Sequence, residues 1–220
     1  MILVKRNINK IILVIIAVCL QLIYISCDKV PPVSLNRSVK NFNSIQIEAP
    51  VLIYLYQANY NFIRLEGDQD YVYDVKTETT DKNLTISKYE GKSLYDNDSA
   101  VLVVVQAIEL IKIEHNSTGR VVSKLPLKLG NIRIDNTKIG TITLAGTAKN
   151  LDIRNYSYGI IDLKNLISEN ANIINEGGGD VYVSATNSLN VVIKGSGNVY
   201  YSGNPKLTAN STGSGKCIKY

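Results

Sequence analysis

The sequence predicts an all-β chain, much of it wound into a parallel β-helix, expected to be right-handed from the usual hand of parallel crossovers, with coils of about 20 residues. Three observations carry this prediction. Glycines recur at a near-constant period, at Gly119, Gly140, Gly159, Gly179, Gly197 and Gly215, separated by 21, 19, 20, 18 and 18 residues. Positions at fixed offsets from those glycines alternate between apolar and polar, the period of a strand with one buried face. The composition suits strands as well: Val, Ile, Tyr and Asn are plentiful, with 14 tyrosines, 15 glycines and no tryptophan in 220 residues.

The first segment, residues 1–26, reads as a targeting signal. Lys5, Arg6 and Lys10 precede an apolar run from Ile11 to Leu20, which resumes at Leu22. The run is too short for a comfortable membrane span and has the charged flank of an export signal. It ends in Tyr24-Ile25-Ser26-Cys27, similar to a bacterial lipobox, in which the cysteine is acylated and becomes the mature N-terminus. The expected lipidation site is therefore Cys27. A plain secretory signal cut elsewhere and an uncleaved anchor are the alternatives. Removal of residues 1–26 takes three cationic groups with it, leaving 21 Lys and Arg against 19 Asp and Glu. No basic cluster remains to follow a phosphate backbone, so nucleic acid is not an expected partner.

Residues 27–41 come next as a lipidated cysteine and tether. Pro31-Pro32 and a mostly polar stretch without a sustained period carry that expectation. From Phe42 to about residue 109 apolar alternation begins: Ile45 and Ile47, Val51, Ile53 and Leu55, Ile63 and Leu65, Leu84 and Ile86, then Val101, Val103 and Val105. Turns such as Glu66-Gly67-Asp68 separate these strands. This β-rich part is less regular than the glycine-marked coils. It either forms broader first coils or a separate sheet over the end of the solenoid, where open backbone would otherwise invite a foreign strand.

From about Leu110 to Tyr220 the repeat governs. Eight residues before each glycine stand Ile111, Ile132, Leu151, Ala171, Leu189 and Leu207, and six before it Ile113, Ile134, Ile153, Ile173, Val191 and Ala209. Between these apolar columns runs a polar one: Lys112, Arg133, Asp152, Asn172, Asn190 and Thr208. Two residues after the glycine come Val121, Ile142, Ile161, Val181, Val199 and Cys217, a further inward column in which the cysteine serves as a small hydrophobe. No coil can bury its apolar face alone, and stacking coils buries it. A sandwich or meander of hairpins is the competing architecture, but hairpins would not keep one register over six copies.

Function classes narrow quickly. One histidine and three cysteines exclude histidine-rich metal sites and a four-cysteine zinc site within one chain, so no metal or cofactor is expected. The column four residues before the glycine reads His115, Asn136, Asn155, Asn175, Ile193 and Ser211, a stacked amide ladder with His115 at its head. A catalytic base would need a convergent nucleophile and an orienting group, so His115 is expected to be structural. Arg133 would stack on Asp152 and Asp135 on Arg154, which suits inter-coil salt bridging and, as a weaker alternative, the site of a polysaccharide-acting β-helix enzyme. No catalytic residue is assigned.

The segments Phe42-Asn43-Ser44-Ile45-Gln46-Ile47-Glu48-Ala49-Pro50-Val51, Leu65-Glu66-Gly67-Asp68 and Asn83-Leu84-Thr85-Ile86-Ser87 resemble the head GIN domains of autotransporter adhesins. The turns Gly177-Gly178-Gly179, Gly195-Ser196-Gly197 and Gly213-Ser214-Gly215 extend the resemblance over about Val39 to Tyr220. Turns at Ser117-Thr118-Gly119, Lys138-Ile139-Gly140 and Tyr156-Ser157-Tyr158-Gly159 depart from it by losing glycines. The resemblance implies an exported, β-helical, non-enzymatic domain of a bacterial lipoprotein and brings no catalytic residues.

The expected function is thus a lipid-anchored cell-envelope protein, held at the outer membrane, that acts as a surface binding or adhesion module. A glycan or a cell-surface protein is the expected ligand. Tyr182 and Tyr200, three residues after successive glycines, form the expected ligand-binding pair, since tyrosine offers a sugar ring an apolar face and a hydroxyl. Tyrosine ladders also stabilise sheets without any ligand. A structural or protein-interaction module facing the periplasm is the alternative.

Overall fold

The computed structural model describes residues 32–92, 94 and 101–220. The signal segment and Cys27 lie outside the described residues. The first strand, β1 (Val33–Arg37), falls in the stretch expected to be a tether. It pairs antiparallel with β4 (Phe62–Gly67), Leu35 opposite Leu65, so alternation of Val33, Leu35 and Arg37 toward the core overrides the polar composition. The tether expectation is corrected from Val33 onward.

The β-rich first part supplies coils and also covers their end. β2 (Ser44–Ile47) and β3 (Leu52–Gln57) lie parallel to β8 (Lys112–His115) and β9 (Arg120–Ser123), with Ile45 beside Ile113 and Ile53 beside Val121. Outside them stack β6 (Asn83–Lys88) on β2 and β7 (Val101–Ala107) on β3, again parallel. The unit met first along the chain is therefore the second in space. Antiparallel strands finish this end: β4 on β7, β1 on β4, and β5 (Val75–Thr80) on β6. A single helical turn, α1 (Gln69–Val72), has Asp68 as N-cap, whose carboxylate accepts from the Asp70 N–H at 3.0 Å, and it buries Val72 completely.

Beyond β9 the coils become regular. β10 (Leu127–Asn136), β11 (Thr141–Asn155), β12 (Ile161–Asn175) and β13 (Val181–Ile193) stack in parallel, followed by β14 (Val199–Ser202), β15 (Lys206–Ser211) and β16 (Cys217–Lys219). The glycine-to-glycine register predicted from the sequence is the observed one: Arg133 pairs with Asp152, Ile153 with Ile173, and Val181 with Val199. A third side, which the glycine columns did not reveal, comes from Leu127–Leu129 on Gly146–Ala148.

The core is the inside of this coil stack. Ile132, Leu151, Ala171 and Leu189 are buried, as are Ile134, Ile153, Ile173 and Val191. The column ends differ. Ile111 is exposed at one end. At the other, Leu207 and Ala209 are exposed and Cys217 is half-exposed, because among the described residues no further strand covers β15 and β16. Cys217 keeps the predicted register opposite Val199 without the full burial expected of it. The burial it does have pushes its thiol above the ordinary range.

Candidate functional site

The turn that closes each coil sets the geometry of the solenoid. A Cβ on Gly179 would sit 2.0 Å from the Gly159 carbonyl oxygen, and one on Gly197 2.1 Å from that of Gly179. Close backbone approach between coils is what demands glycine here; none of these glycines has a positive φ.

Behind the turn runs the buried amide column. His115 Nδ1 meets the Asn136 amide, Asn136 meets Asn155 Oδ1, and Asn155 Nδ2 donates to Asn175 Oδ1, each at 3.2 Å. Asn175 Nδ2 closes the run on the carbonyls of Gly179 and Gly197, both at 3.0 Å. Turned over, the Asn136 amide donates to the carbonyls of Lys138 and His115 at 3.1 and 3.3 Å and to His115 Nδ1 at 3.2 Å, and its oxygen accepts from Ser157 Oγ at 3.1 Å, so this is the orientation that satisfies the turn. All four side chains are shut off from water. Burial pushes His115 down to about 4, against the smaller opposing effect of its Asn136 hydrogen bond. A neutral imidazole in a satisfied amide ladder is a structural element of the turn.

The four charged residues expected to cross between coils take a different arrangement. Arg133 Nε donates to both carboxylate oxygens of Asp135, two residues along its own strand, at 3.1 and 2.9 Å. The inter-coil register puts Asp152 beside Arg133 and Arg154 beside Asp135, yet the bifurcated hydrogen bond runs along β10. Side chains two apart on one strand face share a side of the sheet, which brings them within reach. The Asp135 hydrogen bond holds the Arg133 guanidinium above its usual value, with Asp152 adding to it at longer range.

Next to this pair lies a shallow trough of about 320 Å³ across successive coils. One wall is a second amide ladder, on the outside: Asn150 Nδ2 donates to Asn131 Oδ1 at 2.7 Å, and Asn170 Nδ2 to Asn150 Oδ1 at 3.1 Å. The other wall is Arg133, Asp152 and Asn172, and Asn190 Nδ2 donates to Asn172 Oδ1 at 2.9 Å. Ile132 and Leu151 form the floor, and exposed Ile111 stands at one end. The sequence reasoning missed the outer ladder. Its signal was present nine residues before each glycine, at Asn131, Asn150, Asn170 and Ser188.

Tyr182 and Tyr200 are brought together as expected. Their rings stack with centroids 4.7 Å apart and planes 9° from parallel. Lys164 Nζ, from the preceding coil, lies 4.4 Å from the centroid of Tyr182, and Tyr220 meets that ring edge-on. Both broad faces of Tyr182 are thereby taken up within the protein. Asn198 Nδ2 donates to the Tyr200 hydroxyl at 3.3 Å. Among the described residues, no three of His, Cys, Asp and Glu gather into a group that could hold a metal ion. No helix among them is long and apolar enough to cross a membrane.

Solved structures share this architecture. A "putative adhesin" from Bacteroides fragilis superposes with a TM-score of 0.71 at 20% identity, covering 86% of this chain and 97% of its own. A "putative lipid binding protein" from Parabacteroides distasonis gives 0.57 at 18% identity, covering 86% and 96%. A "putative adhesin" from the same organism gives 0.50 at 20% identity, covering 86% and 97%. At these identities the likeness is one of fold. No curated protein matches the chain in sequence. The family model described as "Putative auto-transporter adhesin, head GIN domain" matches residues 41–205, three quarters of the length and the whole run from β2 into the last coils, and the chain belongs to that family.

Proposed function

We propose that this protein is a non-catalytic binding module of the cell envelope, anchored by lipid at Cys27 and engaging an extended polar ligand along the flank of its solenoid. The observation that carries this reading is the trough. Its polar groups recur once per coil, so their spacing along the axis is that of adjacent strands, about 4.8 Å. Amides repeated at that interval, with one guanidinium and one carboxylate among them, suit a polymer with hydroxyls or amides along its length. Family membership supports adhesion as the use of such a surface. Tyr182 and Tyr200 lie outside the lining of the trough, and both faces of Tyr182 are taken by Tyr200 and Lys164.

Three measurements test this reading. Protease treatment of intact cells, with lysed cells and a known periplasmic protein as controls, is expected to digest the domain without lysis. Protection until lysis would replace adhesion by a periplasmic structural role. Binding of the mature domain to immobilised envelope polysaccharides is expected to weaken when Asn150→Leu and Asp152→Ala are combined. Cys27→Ala is expected to release the protein from membranes, and retention of the variant in the membrane fraction would refute the lipid anchor.

A further inference from the structure

The turns that depart from the repeat build a second surface, on the opposite side of the buried amide column from the trough. In the later coils the residue before the turn glycine is small: Gly178, Ser196 and Ser214. In two earlier coils it is Ile139 and Tyr158, exposed to 62% and 77%. Tyr156 and Ile160 flank Tyr158 in the same turn and are exposed too. Folding gains nothing from placing large apolar groups in water at one corner, and a cluster of them rimmed by polar groups marks a contact surface.

The placement of Tyr158 is specific. Cδ1 and Cε1 of its ring fill the space where a Cβ on Gly178 would stand, 2.6 and 2.5 Å from that position. Gly178 of the next coil is thus the seat on which the ring rests, and Ser196 Oγ, one coil further, is 3.1 Å from the same point. In the column beside it Glu176 and Lys194 form an ion pair of 2.7 Å. A largely exposed aromatic ring, with a carboxylate, an ammonium and a hydroxyl one or two coils along the same corner, suits the two sides of a pyranose. Its C–H face stacks on the ring, and its hydroxyls find acceptor and donor at the rim. Tyr182 lacks this property because its two faces are taken by Tyr200 and Lys164.

We infer that Tyr158, seated on Gly178 and flanked by Ile139, Glu176, Lys194 and Ser196, is a saccharide-stacking site. This deepens the proposal of a binding module and rests on it. The test measures binding of the mature domain to a panel of neutral oligosaccharides of glucose, galactose and N-acetylglucosamine, for wild type and four variants. Tyr158→Ala and Tyr158→Leu are expected to lose at least tenfold in affinity, while Tyr158→Phe keeps the ring and stays within about threefold. Gly178→Ala leaves every polar group in place but displaces the ring from its seat, and is expected to weaken binding severalfold with an unchanged circular-dichroism spectrum. Binding that survives in Tyr158→Ala but falls in the Asn150→Leu and Asp152→Ala variant overturns this site and leaves the module reading standing. Absence of binding to every oligosaccharide overturns the site. If wild type then also fails to bind immobilised envelope polysaccharides, the module reading falls with it. Equal affinity of Tyr158→Leu and wild type would assign the corner to a protein or lipid contact instead.

Discussion

His115 and Asn136 share a hydrogen bond of 3.2 Å at the head of a column that water does not reach. Burial of that imidazole, which outweighs the opposing effect of the Asn136 contact, makes the stability of the fold pH-dependent. The imidazole is lowered from 6.5 to about 4 in the folded protein, so between these values the unfolded chain takes up a proton that the folded one refuses. Stability therefore falls as pH drops through this window, by about 3 kcal/mol in all, and His115 contributes no pH dependence above it. His115→Asn, which continues the ladder with an amide, is expected to lose less stability than wild type between neutral pH and about pH 4.5. Equal losses in urea titrations of the two proteins would show that His115 is protonated in the folded state.

Asn155 sits in the middle of the column and uses both ends of its amide. It accepts from the Ser157 hydroxyl, meets the Asn136 amide at 3.2 Å, and donates to Asn175 and to the carbonyl of Gly179. Asn155→Ala strands these partners without water and is expected to cost about 3 kcal/mol. Asn131→Ala on the outer ladder, where solvent replaces the lost bond, is expected to stay within about 0.5 kcal/mol. Urea midpoints that shift alike would mean the buried ladder is dispensable.

The two kinds of glycine in the repeat separate by substitution. Gly179→Ala drives a Cβ to 2.0 Å from the Gly159 carbonyl oxygen, whereas Gly130→Ala meets nothing within 4 Å. The first is expected to destabilise by about 3 kcal/mol or more as the coils are forced apart, and the second to be neutral or slightly stabilising. Thermal melts of the two variants check this. A tolerated Gly179→Ala would mean that the coils separate at little cost.

Tyr182 and Tyr200 stack across adjacent coils. A double-mutant cycle with Tyr182→Ala and Tyr200→Ala is expected to give a coupling of about 1 kcal/mol in stability. A coupling of zero would leave the stack without structural weight.

Much of the coil region was legible because its period is local information. Each glycine, its apolar neighbours at fixed offsets and the His115–Asn175 column repeat within about 20 residues, so the register could be counted along the chain. The strand Val33–Arg37 was not legible, since its pairing partner is β4 and its composition is that of a linker. The outer amide ladder was countable in the same way as the inner one but lay outside the columns chosen. For Tyr182 and Tyr200 the adjacency was legible, and the closure of Tyr182 by Lys164 was not, because it depends on the path of a lysine side chain between coils.

By itself, then, the sequence determined the strand period, the close-packed glycine turns and the inward set of apolar residues, all of which arise from steric and hydrophobic rules acting within one coil. Tertiary structure alone decided the spatial order of the first coils, where β6 and β7 stack outside β2 and β3, and the covering of that end by β1, β4 and β5. It also decided which exposed groups form surfaces. Arg133 pairs along its strand with Asp135, and Tyr158 settles on a glycine one coil away. Those outcomes depend on what another coil places alongside, and a residue carries no record in its own neighbourhood of which coil that is.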